Sequence, residues 1–239
     1  MKNILKGFAL SISMFTILPF FKVHHFFKGI NGYAVMFFPF VGLIIGLILL
    51  CVYCLFQNHV AQVHLNIIIF VLSILLSGAL HLDGFADTVD GLYVAKDRAL
   101  KVMSDPHIGA MGMIITATFL ILKASTFAHL ESFYLLPIIL MLSRFNAILA
   151  IYFAPYIGGG MAQLAKEEFS TTHLLLASVF VLFLSIYFSW VLVVVSLISM
   201  LIISKLFIKR YDGLSGDIYG FIIEVSELIL LNVVVFGLI

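Results

Sequence analysis

Apolar runs of membrane length recur along this chain, and they restrict what it can fold into more than any other feature. Residues 32 to 56, 63 to 82, 109 to 127, 133 to 154 and 218 to 239 are each long enough to cross a hydrocarbon core of about 30 Å as helices. A further stretch, from about 173 to 206, is too long for one crossing. As a single helix it would measure about 51 Å at about 1.5 Å per residue, so the length predicts a fold-back near Ser185 to Trp190. Composition agrees: 63% of the 239 residues are hydrophobic and 10% charged, whereas roughly a quarter of a soluble domain is charged. The expected class is all-α, a polytopic integral membrane helical bundle with the lipid bilayer as its first partner. A formal net charge of +1 without basic runs excludes nucleic acid as a partner.

Charge placement sets the expected topology. Lys22 and Lys28, then Lys96, Arg98 and Lys101, then Lys166, then Lys205, Lys209 and Arg210 fall on one face, and the connectors on the other face carry no Lys or Arg. The positive-inside rule makes that face cytoplasmic. Lys2 and Lys6 are basic as well, so residues 4 to 20 should not cross but form an N-terminal interfacial or re-entrant helix. About seven transmembrane helices follow, with the C-terminus outside, in a bacterial or archaeal cell (inner) membrane. With no appended soluble domain, polar linker or internal repeat, residues 1-239 read as a single membrane-embedded domain. The apolar stretch ending near Pro19 has no small-residue cleavage site after it and is expected to be retained. Cys51 and Cys54 read as ordinary buried cysteines.

This topology brings three polar segments to one face: residues 81 to 108, 156 to 170 and 211 to 217. In GALHLDGFADTVDGL, residues 78 to 92, helical offsets of four and three put Asp83, Asp87 and Asp90 on one stripe. Like charges that close need something positive between them, and oxygen-only ligands suit a hard cation such as magnesium, Mg2+, which in turn neutralises phosphate oxygens. Acidic residues at a membrane edge are expensive unless paired, and His81 precedes the cluster, so the stripe reads as chemistry rather than as a solvated turn. Further on, MSDPHIGAMG (103 to 112) places Asp105 and His107 where the next span begins; amides at a helix start can receive phosphate, although an Asp before Pro106 is also a good turn former.

The last span carries YDGLSGDIYGFIIEVSE, residues 211 to 227. Asp217 can serve as its N-cap, or can share a stripe with Glu224 and Glu227 at offsets of seven and three. Arg144 lies mid-span and needs an anion, either one of these glutamates or a substrate phosphate. Lys123 is expected to snorkel to the outer interface, and Asn146, on almost the opposite side of its helix from Arg144, to make a packing contact. PYIGGG (155 to 160) reads as a flexible turn that allows close backbone approach to a ligand. The remaining histidines, His24 and His25 among them, are expected in interfacial roles, and the many Phe residues as packing or lipid-facing groups.

Together GALHLDGFADTVDG (78 to 91), VMSDPHIGAMG (102 to 112) and GLSGDIYGFIIEVSE (213 to 227), with FFPFVGLIIG (37 to 46) as a weaker fourth match, resemble the cobalamin synthase family, the adenosylcobinamide-GDP ribazoletransferases. The resemblance spans nearly the whole chain. It implies a magnesium-dependent membrane enzyme that joins alpha-ribazole, or its 5'-phosphate, to adenosylcobinamide-GDP with release of GMP. It implies metal and phosphate roles for Asp83, Asp87 and Asp90, expected with His81 to be catalytic, and places Asp105, Asp217, Glu224 and Glu227 at matching motif positions as substrate contacts. Arg144, from its intramembrane charge, and His107, from its place at a helix start, are expected to contact substrate on their own chemistry. The segment departs from the family pattern at Pro106-His107, where Ser-Arg is common. Homo-oligomerisation is left open. Membrane prenyltransferases fit less well because only one Asp cluster comes close to theirs. CDP-alcohol phosphotransferases would need Ala-Arg after Asp83-Gly84, and an ion-coupled transporter would show an inverted repeat.

Overall fold

The computed structural model describes residues 2–18 and 29–238; Lys22, His24, His25 and Lys28 lie outside them. The described residues form twelve helices and no strand apart from a one-residue bridge. The helices are α1 (Lys2–Phe15), α2 (Asn31–Met36), α3 (Phe38–Phe56), α4 (Gln62–Leu76), α5 (Leu80–Leu92), α6 (Lys96–Met103), α7 (Ala110–Ala128), α8 (Leu136–Phe153), α9 (Met161–Glu168), α10 (Thr171–Phe188), α11 (Trp190–Tyr211) and α12 (Gly216–Val235). Six of them, α3, α7, α8, α10, α11 and α12, are long and apolar enough to cross a membrane, and the bent pair α4 and α5 makes a seventh if it is one span. The chain is a multi-pass membrane protein.

The centre of the bundle is α8. Its apolar surface carries Ser143, Arg144 and Asn146, which lipid would not solvate, and every residue from Leu136 to Ile151 is buried. Around it pack α3, α10, α11 and α12. On α3 the pair Gly42 and Gly46 forms a small-residue seam, and a Cβ at Gly42 would stand 2.3 Å from the Leu140 carbonyl oxygen, so the two backbones are in contact. The fold-back expected near Ser185 to Trp190 falls at Ser189, whose hydroxyl caps α11 by accepting the Leu192 N–H. Ser170 and His173 form a reciprocal capping box that starts α10.

Two expectations are corrected. Residues 63 to 82 are not one continuous helix: α4 ends at Leu76, Gly78 and Ala79 both take left-handed backbone (φ 63 and 55), and the chain turns by 82° into α5. Two consecutive residues outside right-handed space stop a helix outright, and the apolar character of the run conceals this. Cys51 and Cys54 are exposed on the outer face of α3 rather than buried, since that helix turns its glycine seam inward.

Candidate active site

The bend at Gly78 and Ala79 lays α5 across one end of the bundle, where it packs on α12, α7 and α6. The crossing with α12 is close because it runs through glycines. A Cβ at Gly84 would stand 3.0 Å from the Asp217 carbonyl oxygen, and one at Gly220 would stand 3.0 Å from that of His81. Side chains flanking such a seam are forced into proximity, so Asp83 and Asp217, from segments 134 residues apart in sequence (217 − 83), line the same cavity of about 300 Å³.

The other polar segments arrive at this end through backbone hydrogen bonds. Ile157 N–H donates to the Leu214 carbonyl, and Leu214 N–H to the Pro155 carbonyl, each at 2.9 Å, which ties the PYIGGG loop to the start of α12. Arg210 donates to the carbonyls of Leu92 and Val94, satisfying the end of α5, and Tyr211 donates to that of Gly91. Lys166 does the same for α8, donating to the carbonyls of Ile151, Tyr152 and Ala154. Lys96 pairs with Asp212 at 2.6 Å on the surface. Arg210, Lys166 and Lys96 are therefore engaged by helix-end carbonyls and by Asp212.

Each candidate residue has a distinct position. Asp83 is exposed in the first turn of α5, Asp87 is half-buried one turn on, and neither carboxylate has a hydrogen-bond or ion-pair partner among the described residues. Asp87 lies within Coulombic range of Asp83, Asp217 and Asp90. Asp90, buried at 8% exposure, behaves differently: its Oδ2 accepts the Gly109 N–H at 2.6 Å and its Oδ1 the Gly112 N–H at 2.7 Å. The amides at the start of α7, expected to receive phosphate, are already occupied by this carboxylate. A Cβ at Gly112 would stand 2.3 Å from Asp90 Oδ2, which explains the glycine there. Asp217 is not the N-cap of α12. Ser215 is, its Oγ accepting the Ile218 N–H, and Asp217 is left to face the cavity.

His81 is 4% exposed, packed against the rings of Phe15 and Phe38, and also lines the cavity. Asp105 and His107 stand outside in solvent, where Asp105 Oδ1 accepts both the backbone N–H and the ring Nδ1 of His107. Those two amide and ring donors hold the Asp105 carboxyl below the usual carboxylate range. With Asp90 they border a second, more open cavity of about 310 Å³ on the far side of α5.

For Arg144 either a glutamate of the last span or a substrate phosphate was expected, and the structure gives it the glutamate: Arg144, Glu224 and Glu227 form a buried four-charge network with Lys123. Arg144 Nη1 meets Glu227 Oε2 at 2.5 Å, and Lys123 Nζ meets Glu224 Oε2 at 2.7 Å and Glu227 Oε1 at 2.8 Å, all four residues being at most 7% exposed. Two cations answer two anions, which is the arrangement that makes buried charge tolerable. Lys123 therefore does not snorkel: an anion within reach inside the bundle outcompetes the walk to the interface. Asn146 does more than pack, donating to the Ser196 carbonyl and Ser226 Oγ while accepting from Ser196 Oγ, so it joins α8, α11 and α12. The residue that sequence reasoning missed is Tyr219, whose ring lines the acidic cavity.

The donor set at this cavity is carboxylate oxygen. Among the described residues no Lys or Arg pairs with Asp83, Asp87 or Asp217, and no three His, Cys, Asp or Glu side chains form a ready-made metal cage. That combination fits magnesium, which keeps several waters and uses one or two carboxylates together with substrate phosphates rather than an all-protein cage.

The comparisons with known proteins decide the family. The family model for cobalamin-5-phosphate synthase matches residues 7–235. This chain belongs to the cobalamin-5-phosphate synthase family. Proteins of this family are enzymes, and relatives named adenosylcobinamide-GDP ribazoletransferase resemble the chain over nearly its whole length. The one from Acinetobacter baumannii (strain ACICU) is 34% identical over 234 residues, covering 94% of each chain. That from Carboxydothermus hydrogenoformans is 30% identical over 240 residues, covering 94% of each. That from Fusobacterium nucleatum subsp. nucleatum is 29% identical over 266 residues, covering 94% of this chain and 95% of the relative. No solved structure matches the chain.

Proposed function

We propose that this protein is a magnesium-dependent membrane transferase that joins alpha-ribazole, or its 5'-phosphate, to adenosylcobinamide-GDP with release of GMP. The observation that carries this reading is the gathering of Asp83 of α5 and Asp217 of α12 on one cavity, with Asp87 within Coulombic range of both and no Lys or Arg paired with the three among the described residues, in a chain of this family. Magnesium bound there would be held by Asp83, Asp87 and Asp217 and would neutralise diphosphate charge; Asp90, bonded to the start of α7, supports α5, the helix that carries Asp83 and Asp87.

A ribose hydroxyl of the acceptor attacks the phosphorus on the corrinoid side of the diphosphate, a new P–O bond forms, the P–O bond to GMP breaks, and the hydroxyl proton passes to a base. His81 and the carboxylates are the bases in the cavity wall. The largely apolar lining keeps water from competing with the ribose hydroxyl, which matters because hydrolysis would waste the activated corrinoid. The Lys and Arg residues clustered at this end support its placement at the cytoplasmic face, where nucleotide substrates are available.

The test is GMP release by the purified protein in detergent. Release should require the corrinoid, the acceptor and magnesium together, and Asp83→Asn should lower it by roughly 100-fold or more while the protein still inserts. Near-normal release from that variant sinks the assignment, and substrate-independent ion flux in liposomes selects a transporter.

A further inference from the structure

The acidic cavity is covered on one side by α9. Met161, Ala162 and Ala165 of this helix line the cavity, yet none of its 8 residues is buried, which holds for no other described helix. A further space of about 40 Å³, lined by Met161 and Ala165 with Met14 and Phe15 of α1 and Val35 of α2, leaves the inner face of α9 loosely packed. An element that buries so little apolar surface opens at low free-energy cost.

The two ends of α9 are held unequally. At its C-terminal end, Lys166 Nζ donates to three carbonyls closing α8, Glu168 accepts the Asn31 N–H, and Phe169 is buried. At the other end, backbone hydrogen bonds fix the chain as far as Ile157, whose N–H donates to the Leu214 carbonyl. Gly158, Gly159 and Gly160 then follow, with φ +127 at the first and +77 at the third, and a Cβ at Gly159 or Gly160 would meet nothing within 4 Å. Their tether is a solvent-exposed bond from the Tyr156 hydroxyl to the Gly159 carbonyl. Successive glycines in open space, two of them in backbone that other residues rarely adopt, give the chain slack at this point.

We infer that α9 is a hinged lid over the acidic cavity: residues 166–169 are its pivot, residues 158–160 its slack, and residues 161–165 the part that lifts to pass a ligand and closes to keep water out. The closed position is the one observed, with Ala162 against the start of α12, where a Cβ at Gly216 would stand 3.4 Å from that of Ala162. The lid thus shuts beside Asp217, where excluding water favours transfer over hydrolysis. That purpose rests on the transferase reading above, whereas the motion rests on packing and hinge.

A disulfide between lid and α12 tests this in the full-length protein carrying Cys51→Ser and Cys54→Ser. Ala162→Cys with Gly216→Cys sets two Cβ atoms close to the spacing of about 3.8 Å that a disulfide spans. Oxidation should cross-link the pair and abolish GMP release, reduction should restore it, and neither single variant should respond to oxidation. Release by the cross-linked protein at its reduced rate overturns the lid, as does failure of the pair to cross-link. A second measurement needs no turnover. Val35→Cys, buried in the wall shared by both spaces, is exposed to a water-soluble maleimide, and labelling at residue 35 is read by peptide mass. Cross-linking the lid should slow that labelling, and equal rates with the lid locked and free overturn the inference. If wild-type protein releases no GMP, the transferase reading has failed by itself, and the labelling rates alone judge the lid.

Discussion

Among the aspartates of α5, position along one stripe conceals a division of labour. Asp90 holds two buried amides of α7, so Asp90→Ala would strand both and cost about 1–3 kcal/mol. Asp83 holds nothing among the described residues. Thermal melts in detergent should therefore fall for Asp90→Ala and stay at the wild-type value for Asp83→Asn, although both lower activity. Equal melts would remove the distinction. The stripe itself was legible in the sequence, because period and chemistry both point to it. The partner of Asp90 was not, because its amides lie 19 and 22 residues away and reach it only through the crossing of α5 and α7. Tyr219 was equally hidden: in an apolar span, a tyrosine facing a cavity and one facing lipid leave the same trace.

Helices meet here through glycine and through buried charge. Lys123→Met would leave two carboxylates facing one guanidinium inside the bundle, a loss of about 3–5 kcal/mol. Adding Glu224→Gln restores the balance, and the double variant should regain most of the lost melting temperature; if it does not, the network matters through packing and not through charge. Arg144 and the two glutamates were legible as partners for each other, whereas Lys123 was not, since its position five residues before the end of α7 suits snorkelling equally well. At the edge of the bundle, α9 is tied to α2 by Glu168, which accepts the Asn31 N–H at 2.9 Å. Burial disfavours its charge, but the amides of Gly29, Asn31 and Gly32 outweigh this and hold its carboxyl below the ordinary value of 4.5. A lowered folded value means this contact contributes fully above that ordinary value and is lost as pH falls through the lowered one. Melts of wild type and Glu168→Gln should therefore differ at about pH 7 and converge in acid; a constant gap would show that the charge is not what joins the two helices.

For the whole molecule, the all-α class and the six or seven candidate spans followed from run length, while the 82° bend between α4 and α5 did not, because hydropathy is blind to φ. That bend is what turns an apparent crossing into a platform for acidic groups, so the most consequential feature of the fold was the least visible one. The proposed orientation is testable with a membrane-impermeant maleimide in a background lacking Cys51 and Cys54. Asn58→Cys, in the exposed connector after α3, should label in intact spheroplasts, and Ser104→Cys, exposed beside the site, only in inverted vesicles. Reversed labelling would put the site on the wrong face for nucleotide substrates.

The four-charge network also imposes an order on biogenesis. Lys123 precedes Glu224 by 101 residues and Arg144 precedes Glu227 by 83, so the ribosome delivers both cations to the bilayer long before either counter-ion is synthesised. Until α12 arrives, the nascent bundle carries two positive charges without the counter-ions they meet in the folded protein, a costly state in hydrocarbon. The same helix brings Asp217 to the platform, so neutralising the interior and completing the acidic site are one event.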